Sequence, residues 1–155
     1  MNLLTNKFSI LMVCISMCCI HTYANPTKLI IENITSKKGT LYIAYTQNED
    51  QYKKVLSNKK SIRVLAEHNI IGQFKTVGLG DHQSIKIPAT INPATCAIIV
   101  FQDLNKNEKL DKNWFGIPKE PYGFSNNPPT KKGTPSFDEV ILGQLKEGYI
   151  KIVLN

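Results

Sequence analysis

Apolar and polar positions alternate with a period of two along most of the chain, which is the pattern of strands covered on one face. TKLIIENI (27–34) is apolar and β-branched, and TLYIAYTQ (40–47) sets Leu41, Ile43 and Tyr45 against Tyr42, Ala44 and Thr46. The intervening KKG reads as a hairpin turn. SIRVLAEH (61–68), IIGQFKTV (70–77), QSIKIPA (83–89), FDEVILGQL (137–145) and GYIKIVLN (148–155) carry further strand patterns. CAIIVFQD (96–103) differs in being apolar on both alternating faces, as expected of a central strand buried on both sides. One segment changes period: NEDQYKKVLSNK (48–59) places Tyr52, Val55 and Leu56 at helical spacing, with acids before lysines as a helix dipole favours.

A long irregular stretch, about 103–136, holds Pro118, Pro121, Pro128, Pro129 and Pro135. Loops of that length in a compact domain are functional or pinned by something specific. Together these elements predict an all-β fold: an antiparallel β-sandwich, transthyretin-like or Ig-like, with about seven strands, one short helix and a long loop at one end.

The first 24 residues stand apart. MNLLTNK carries Lys7, FSILMVCISMCCI is apolar but short of the length that spans a bilayer, and HTYA offers Thr22 and Ala24 at the small-residue positions of a cleavage site. This is the three-part pattern of a secretory signal peptide. It predicts cleavage after Ala24, a single domain over 25–155, a periplasmic or secreted location, and no integral membrane segment after cleavage. Cys14, Cys18 and Cys19 leave with the signal, so Cys96 remains alone as a small buried hydrophobe and no intrachain disulfide forms. The net charge of +7 comes almost wholly from lysine, with Arg63 the only arginine. Lysines spread over the length without interleaved aromatics indicate a solvated surface and not a nucleic-acid interface.

Candidate chemistry concentrates in DLNKNEKLD (103–111). Numbered as a calcium loop from Asp103, the side chains of Asp103, Asn105, Asn107 and Asp111 and the carbonyl of Lys109 fall at ligand positions, and Leu110 points inward as an apolar anchor. Two positions oppose this. Glu108 stands where the sharp turn calls for glycine, and Trp114 where a bidentate glutamate is expected. Glu120, held between Pro118 and Pro121, is a substitute within reach. Two readings stand: a weak Ca²⁺ site, on the order of 10⁻⁴–10⁻³ M, or a metal-free turn in which Asp and Asn side chains accept backbone N–H groups. In NWFGIPKEPYGFSNNPP (113–129), Trp114, Phe115 and Tyr122 are candidate stacking platforms, while Ser125, Asn126 and Asn127 suit backbone hydrogen bonding.

The chain resembles a family of secreted bacterial proteins catalogued as a domain of unknown function (a DUF family). The shared pieces are Asp103, Asn105, Asn107, Leu110 and Asp111; Gly116, Pro118, Glu120, Gly123, Phe124, Ser125 and Asn126; and Pro135, Ser136 and Phe137. It departs from the pattern at Glu108, where glycine is usual, at Ala94–Ala97 before the acidic loop, and at Val140, where alanine is usual. The resemblance implies a transthyretin-like or related sandwich and export, and no established activity.

His68 and His82 stand in separate segments, read as surface loops, and no metal-protease or nucleophile-elbow spacing occurs. A carboxylate pair such as Asp111 and Glu120 has acid–base potential in principle, but nothing in the sequence singles it out. The reading is therefore an exported, non-catalytic envelope protein of unspecified role with a weak calcium-stabilised loop. The alternative is a glycan- or peptide-binding module using the 103–129 loop, its partner an envelope glycan or protein.

Overall fold

The computed structural model describes residues 28–35, 38–57, 62, 70–75, 81–88, 90–131, 133–143 and 148–155. The expected signal peptide, and all of the expected strand 61–68 except Ile62, lie outside the described residues; Ile62 itself is helical and buried.

The fold is mostly β, with few and short helices. One sheet joins β1 (Lys28–Glu32), β4 (His82–Lys86) and β7 (Tyr149–Val153) in the order β4-β1-β7. The other joins β2 (Thr40–Thr46), β3 (Ile70–Lys75), β5 (Ala97–Asp103) and β6 (Tyr122–Phe124) in the order β3-β2-β5-β6. A 3-10 turn, Pro93–Thr95, leads into β5.

An apolar cluster is shared by the two sheets: Leu29, Ile31, Ile85, Ile150 and Ile152 from one, Leu41, Ile43, Tyr45, Ile98 and Val100 from the other. The alternate side chains of β2 and β5 (Tyr42, Ala44, Ala97, Ile99 and Phe101) form a second cluster with Tyr52, Val55, Ile62, Leu110, Phe124 and Val140. The larger sheet is thus covered on both faces, which is why β5 is apolar at every alternation and buried throughout.

Helix α1 (Glu49–Leu56) forms where the period changed. Asn48 caps it by accepting the Gln51 N–H at 2.9 Å, and Tyr52 and Val55 bury its inner face. The Tyr52 hydroxyl donates to the Pro135 carbonyl at 2.8 Å, tying the helix to the far end of the long loop.

Five expectations change. KKG does not close a hairpin, because β1 and β2 lie in different sheets. Turn chemistry marks a reversal but not a pairing. Second, β1 pairs with β7 in parallel, Leu29 opposite Ile150. Strands far apart in sequence need no tight turn, and their apolar alternation carries no direction. Third, 137–140 is a helical turn, α2 (Phe137–Val140), where a strand is expected. Ser136 and Glu139 form a capping box, and among the described residues of this stretch only Ile141 bridges to Ala97. Fourth, β6 interrupts the stretch read as irregular. His82, read as a loop residue, begins β4 and is exposed beside Asp81.

Candidate functional site

The end of β5 delivers Asp103 into the 103–111 loop as its organising acceptor. Its side chain is buried, Oδ1 accepts the N–H groups of Lys106 at 2.7 Å and Asn107 at 3.3 Å, and Oδ2 accepts that of Glu108 at 2.8 Å. The loop can curl this tightly because Lys106 and Glu108 take the left-handed conformation, at φ +66° and +61°. Glu108 therefore adopts the twist for which a calcium loop uses glycine at that position. The neighbouring turn yields space: a Cβ on Gly39 would stand 2.2 Å from the Asp103 carbonyl oxygen, and Gly39 itself is at φ +94°.

The remaining expected ligands come together but bond one another. Asn105 and Asn107 accept the N–H groups of Asn107 and Lys109 at 3.1 and 2.9 Å through Oδ1. Asn105 donates Nδ2 to Asp111 at 2.6 Å, and Asn107 donates to both Asp111 oxygens at 2.9 and 3.0 Å. Leu110 is buried against the outer cluster, as an anchor should be.

Glu120 closes the loop from the other side. Oε1 accepts the Leu104 N–H at 2.8 Å and Oε2 that of Asp111 at 3.1 Å. Burial pushes the Glu120 carboxyl above the ordinary glutamate value; the two N–H bonds oppose this, and the Asp103 and Asp111 charges add to it.

Among the described residues, no three His, Cys, Asp or Glu side chains stand close enough to hold a metal by themselves. A Ca²⁺ ion here would have to draw on the Asn105 and Asn107 amide oxygens and the Lys109 carbonyl, and displace two amide NH₂ groups from Asp111. The oxygens are of the right kind for a hard cation, and each amide oxygen keeps a second lone pair. In the arrangement described, they satisfy the loop's own N–H groups.

Beyond the loop, the chain forms a projecting tip. Lys112 and Pro118 bridge its base, and the Asn113 N–H donates to the Ile117 carbonyl at 2.8 Å. Asn113 Oδ1 accepts the N–H groups of Phe115 and Ile117 at 2.9 and 3.0 Å, while its carbonyl accepts that of Gly116 at 3.0 Å. One asparagine thus fixes the whole turn. The side chains it presents are apolar: Trp114 is fully exposed (101%), Phe115 is 87% exposed and Ile117 54%. Beside the tip lies a groove of about 610 Å³ lined by Leu110, Lys112, Phe115, Ile117, Tyr122 and Lys131 among others. Lys112 donates Nζ to the Leu56 carbonyl at 2.8 Å, and burial lowers the pKa of its amine.

Of the three aromatic platforms expected, Trp114 and Phe115 stand free of the core, whereas Tyr122 is half-buried on β6, edge-on to Phe124 with centroids 5.7 Å apart. The tip's hydrogen-bonding logic was readable in N-W-F-G-I, since Asn followed by Gly marks an Asx-anchored turn.

G-F-S-N-N (123–127) holds the fold. The buried Ser125 hydroxyl donates to the Val140 carbonyl and accepts the Ile98 N–H at 2.9 Å, fastening α2 to β5. Asn126 donates to the Ile141 carbonyl at 2.8 Å; Asn127 accepts the Val153 N–H and donates to the Lys151 carbonyl, both at 2.8 Å, fastening β7. Cys96 is buried and its thiol is pushed up to about 12 by desolvation, far from the range of a nucleophile.

Among the described residues no helix is long and apolar enough to cross a membrane. No curated protein and no solved structure matches the chain. A family model does match, over residues 30–147, which take in the larger sheet, the Asp103 loop and the tip and stop short of β7, and the chain accordingly belongs to the bacterial family described as "Uncharacterized protein conserved in bacteria (DUF2141)".

Proposed function

We propose that this is an exported, non-catalytic protein of the bacterial envelope that attaches to its partner through the apolar tip 113–117. One observation carries the reading: three large apolar side chains are held out on a turn in which Asn113 bonds the N–H groups of Phe115, Gly116 and Ile117. Exposed apolar residues singly need no explanation, but a contiguous, preorganised set is the signature of a docking surface. Export rests on the N-terminal pattern ending at Ala24. The apolar cluster common to both sheets supports a β-sandwich of the transthyretin-like or Ig-like kind. The absence of catalysis is supported by how the carboxylates are used, since Asp103 and Glu120 both spend their oxygens on backbone N–H groups.

The test is association with a purified envelope fraction. The wild-type protein is expected to sediment with it, and the double variant Phe115→Ser, Ile117→Ser to stay in the supernatant with an unchanged melting temperature. Equal sedimentation of the two would remove the tip from the function.

A weak Ca²⁺ ion in the 103–111 loop belongs to the same reading as a stabiliser of the tip's base. Glu108 at φ +61° and the three N–H groups gathered by Asp103 favour it, because both belong to a loop already curled as a calcium loop is.

A further inference from the structure

Resting on the reading of 113–117 as the attachment point, we propose that the partner is the surface of an anionic lipid bilayer, into whose interface Trp114, Phe115 and Ile117 insert while lysines engage the headgroups. Three observations point to lipid in preference to a glycan or a protein.

The first is how the backbone is satisfied. A segment entering the apolar part of a bilayer must bring its polar groups already paired, because nothing there will bond them. In the tip, four of the five N–H groups, those of Asn113, Phe115, Gly116 and Ile117, have partners within the turn, supplied by Asn113 and Ile117. A glycan site needs the reverse, side-chain donors and acceptors left open beside an aromatic face. Asn113, the tip's polar side chain, turns its oxygen inward to two N–H groups.

The second is the kind of side chain. Tryptophan and phenylalanine with a branched aliphatic neighbour are the residues that settle at the membrane–water interface. Here Trp114 is fully exposed among the described residues, and Phe115 and Ile117 lie mostly in solvent.

The third is charge. Lys112 enters the tip and Lys119 leaves it with no acidic residue between them, and Lys131 lines the groove shared with Phe115 and Ile117. Lys119 and Lys131 are exposed, and Lys112 keeps further N–H groups beyond the one given to Leu56. The acids nearest in sequence are engaged within the 103–111 loop: Asp111 accepts from Asn105 and Asn107, and Glu120 is buried on backbone amides. An apolar tip ringed by cations complements an anionic headgroup layer, where each lysine adds attraction that salt screens.

Trp114 is the only tryptophan in the chain, so its fluorescence reads the tip alone. The purified protein is titrated with vesicles of phosphatidylglycerol and, separately, of phosphatidylcholine. The expected result is a shift of Trp114 emission to shorter wavelength with phosphatidylglycerol, and about tenfold or weaker binding to phosphatidylcholine. Phe115→Ser with Ile117→Ser, which leaves the reporter in place, should weaken vesicle binding by about tenfold or more. That comparison holds whatever the state of the N-terminal apolar run, which is the same in both proteins. Should the variant melt lower than wild type, quenching of wild-type Trp114 by brominated phosphatidylglycerol decides the question instead. Equal response to both lipids overturns the anionic partner. An unshifted Trp114 with vesicles, together with tip-dependent sedimentation of envelope material or purified peptidoglycan, overturns the bilayer and leaves tip attachment standing. Absence of both signals removes both proposals.

Discussion

Glu120 reaches back along the chain to accept the Leu104 N–H at 2.8 Å, and with its other oxygen takes the Asp111 N–H at 3.1 Å, so that one buried carboxylate bolts both ends of the acidic loop. Glu120→Gln keeps one acceptor oxygen and sets an NH₂ group against the second N–H. The expected cost is about 1–3 kcal/mol, the range for a buried donor left without a partner. Chemical denaturation of the two proteins at neutral pH measures it.

The same carboxyl group makes stability depend on pH. Its pKa in the folded protein is raised above 4.5, chiefly by burial. In the window that opens upward from that value, the folded protein holds a proton the unfolded chain has released, so this group's contribution falls as pH rises. Urea unfolding across the window should show a downward contribution in wild type that is missing in Glu120→Gln. Identical slopes would count against it.

Glu108 sits at φ +61°, a region that disfavours any side chain with a Cβ. Glu108→Gly should stabilise the protein by about 0.5–1 kcal/mol once the added freedom of the unfolded chain is subtracted. A melting temperature a few degrees higher is the expected reading, and a lower one would contradict the strain.

For the calcium proposal, Asp111 and Asp103 separate cleanly. Saturating a weak site at ten times its dissociation constant adds roughly 1.4 kcal/mol, a rise of a few degrees. Asp111→Asn should abolish the rise in calcium over chelator with little effect on the chelated protein. Asp103→Asn should lower the melting temperature in both conditions, because Asp103 gathers three backbone N–H groups. If wild type melts identically with calcium and with chelator, the loop is a hydrogen-bonded turn.

Gly123 lies where β6 meets β7: a Cβ there would come within 2.6 Å of Ile152 Cγ2 and 2.8 Å of the Val153 carbonyl oxygen. Gly123→Ala should therefore destabilise by about 1–3 kcal/mol through overpacking. Wild-type stability in the variant would show that the two strands part more readily than their packing implies.

What the sequence revealed divides along the reach of the forces involved. β5 was legible because burial on both faces removes polar residues from every alternation, and α1 because its cap, its charges and its spacing agree within a few residues. β6 was hidden: Tyr122-Gly123-Phe124 is short, has glycine at its centre, and is a strand because Ile99 and Phe101 receive it. The strand expected at 137 gave way to a signal present in the sequence, Ser136 followed by Glu139, which outweighs the apolar run after it. At the acidic loop the side chains that converge were named in advance. The partnership of each oxygen depended on backbone twists at Lys106 and Glu108 that residue types alone do not announce.

The parallel seam between β1 and β7 also governs when the domain can form. Leu29 and Ile31 find their neighbours Ile150 and Ile152 only after the C-terminal residues are present, and Asn33 donates to the Leu154 carbonyl across 121 positions. Contacts of such high order close late and slowly. A chain made from its N-terminus holds its smaller sheet incomplete, β1 with at most β4, until the last strand is present. The smaller sheet is therefore the last part of the fold that the chain can complete, whereas the larger sheet needs no residue of β7.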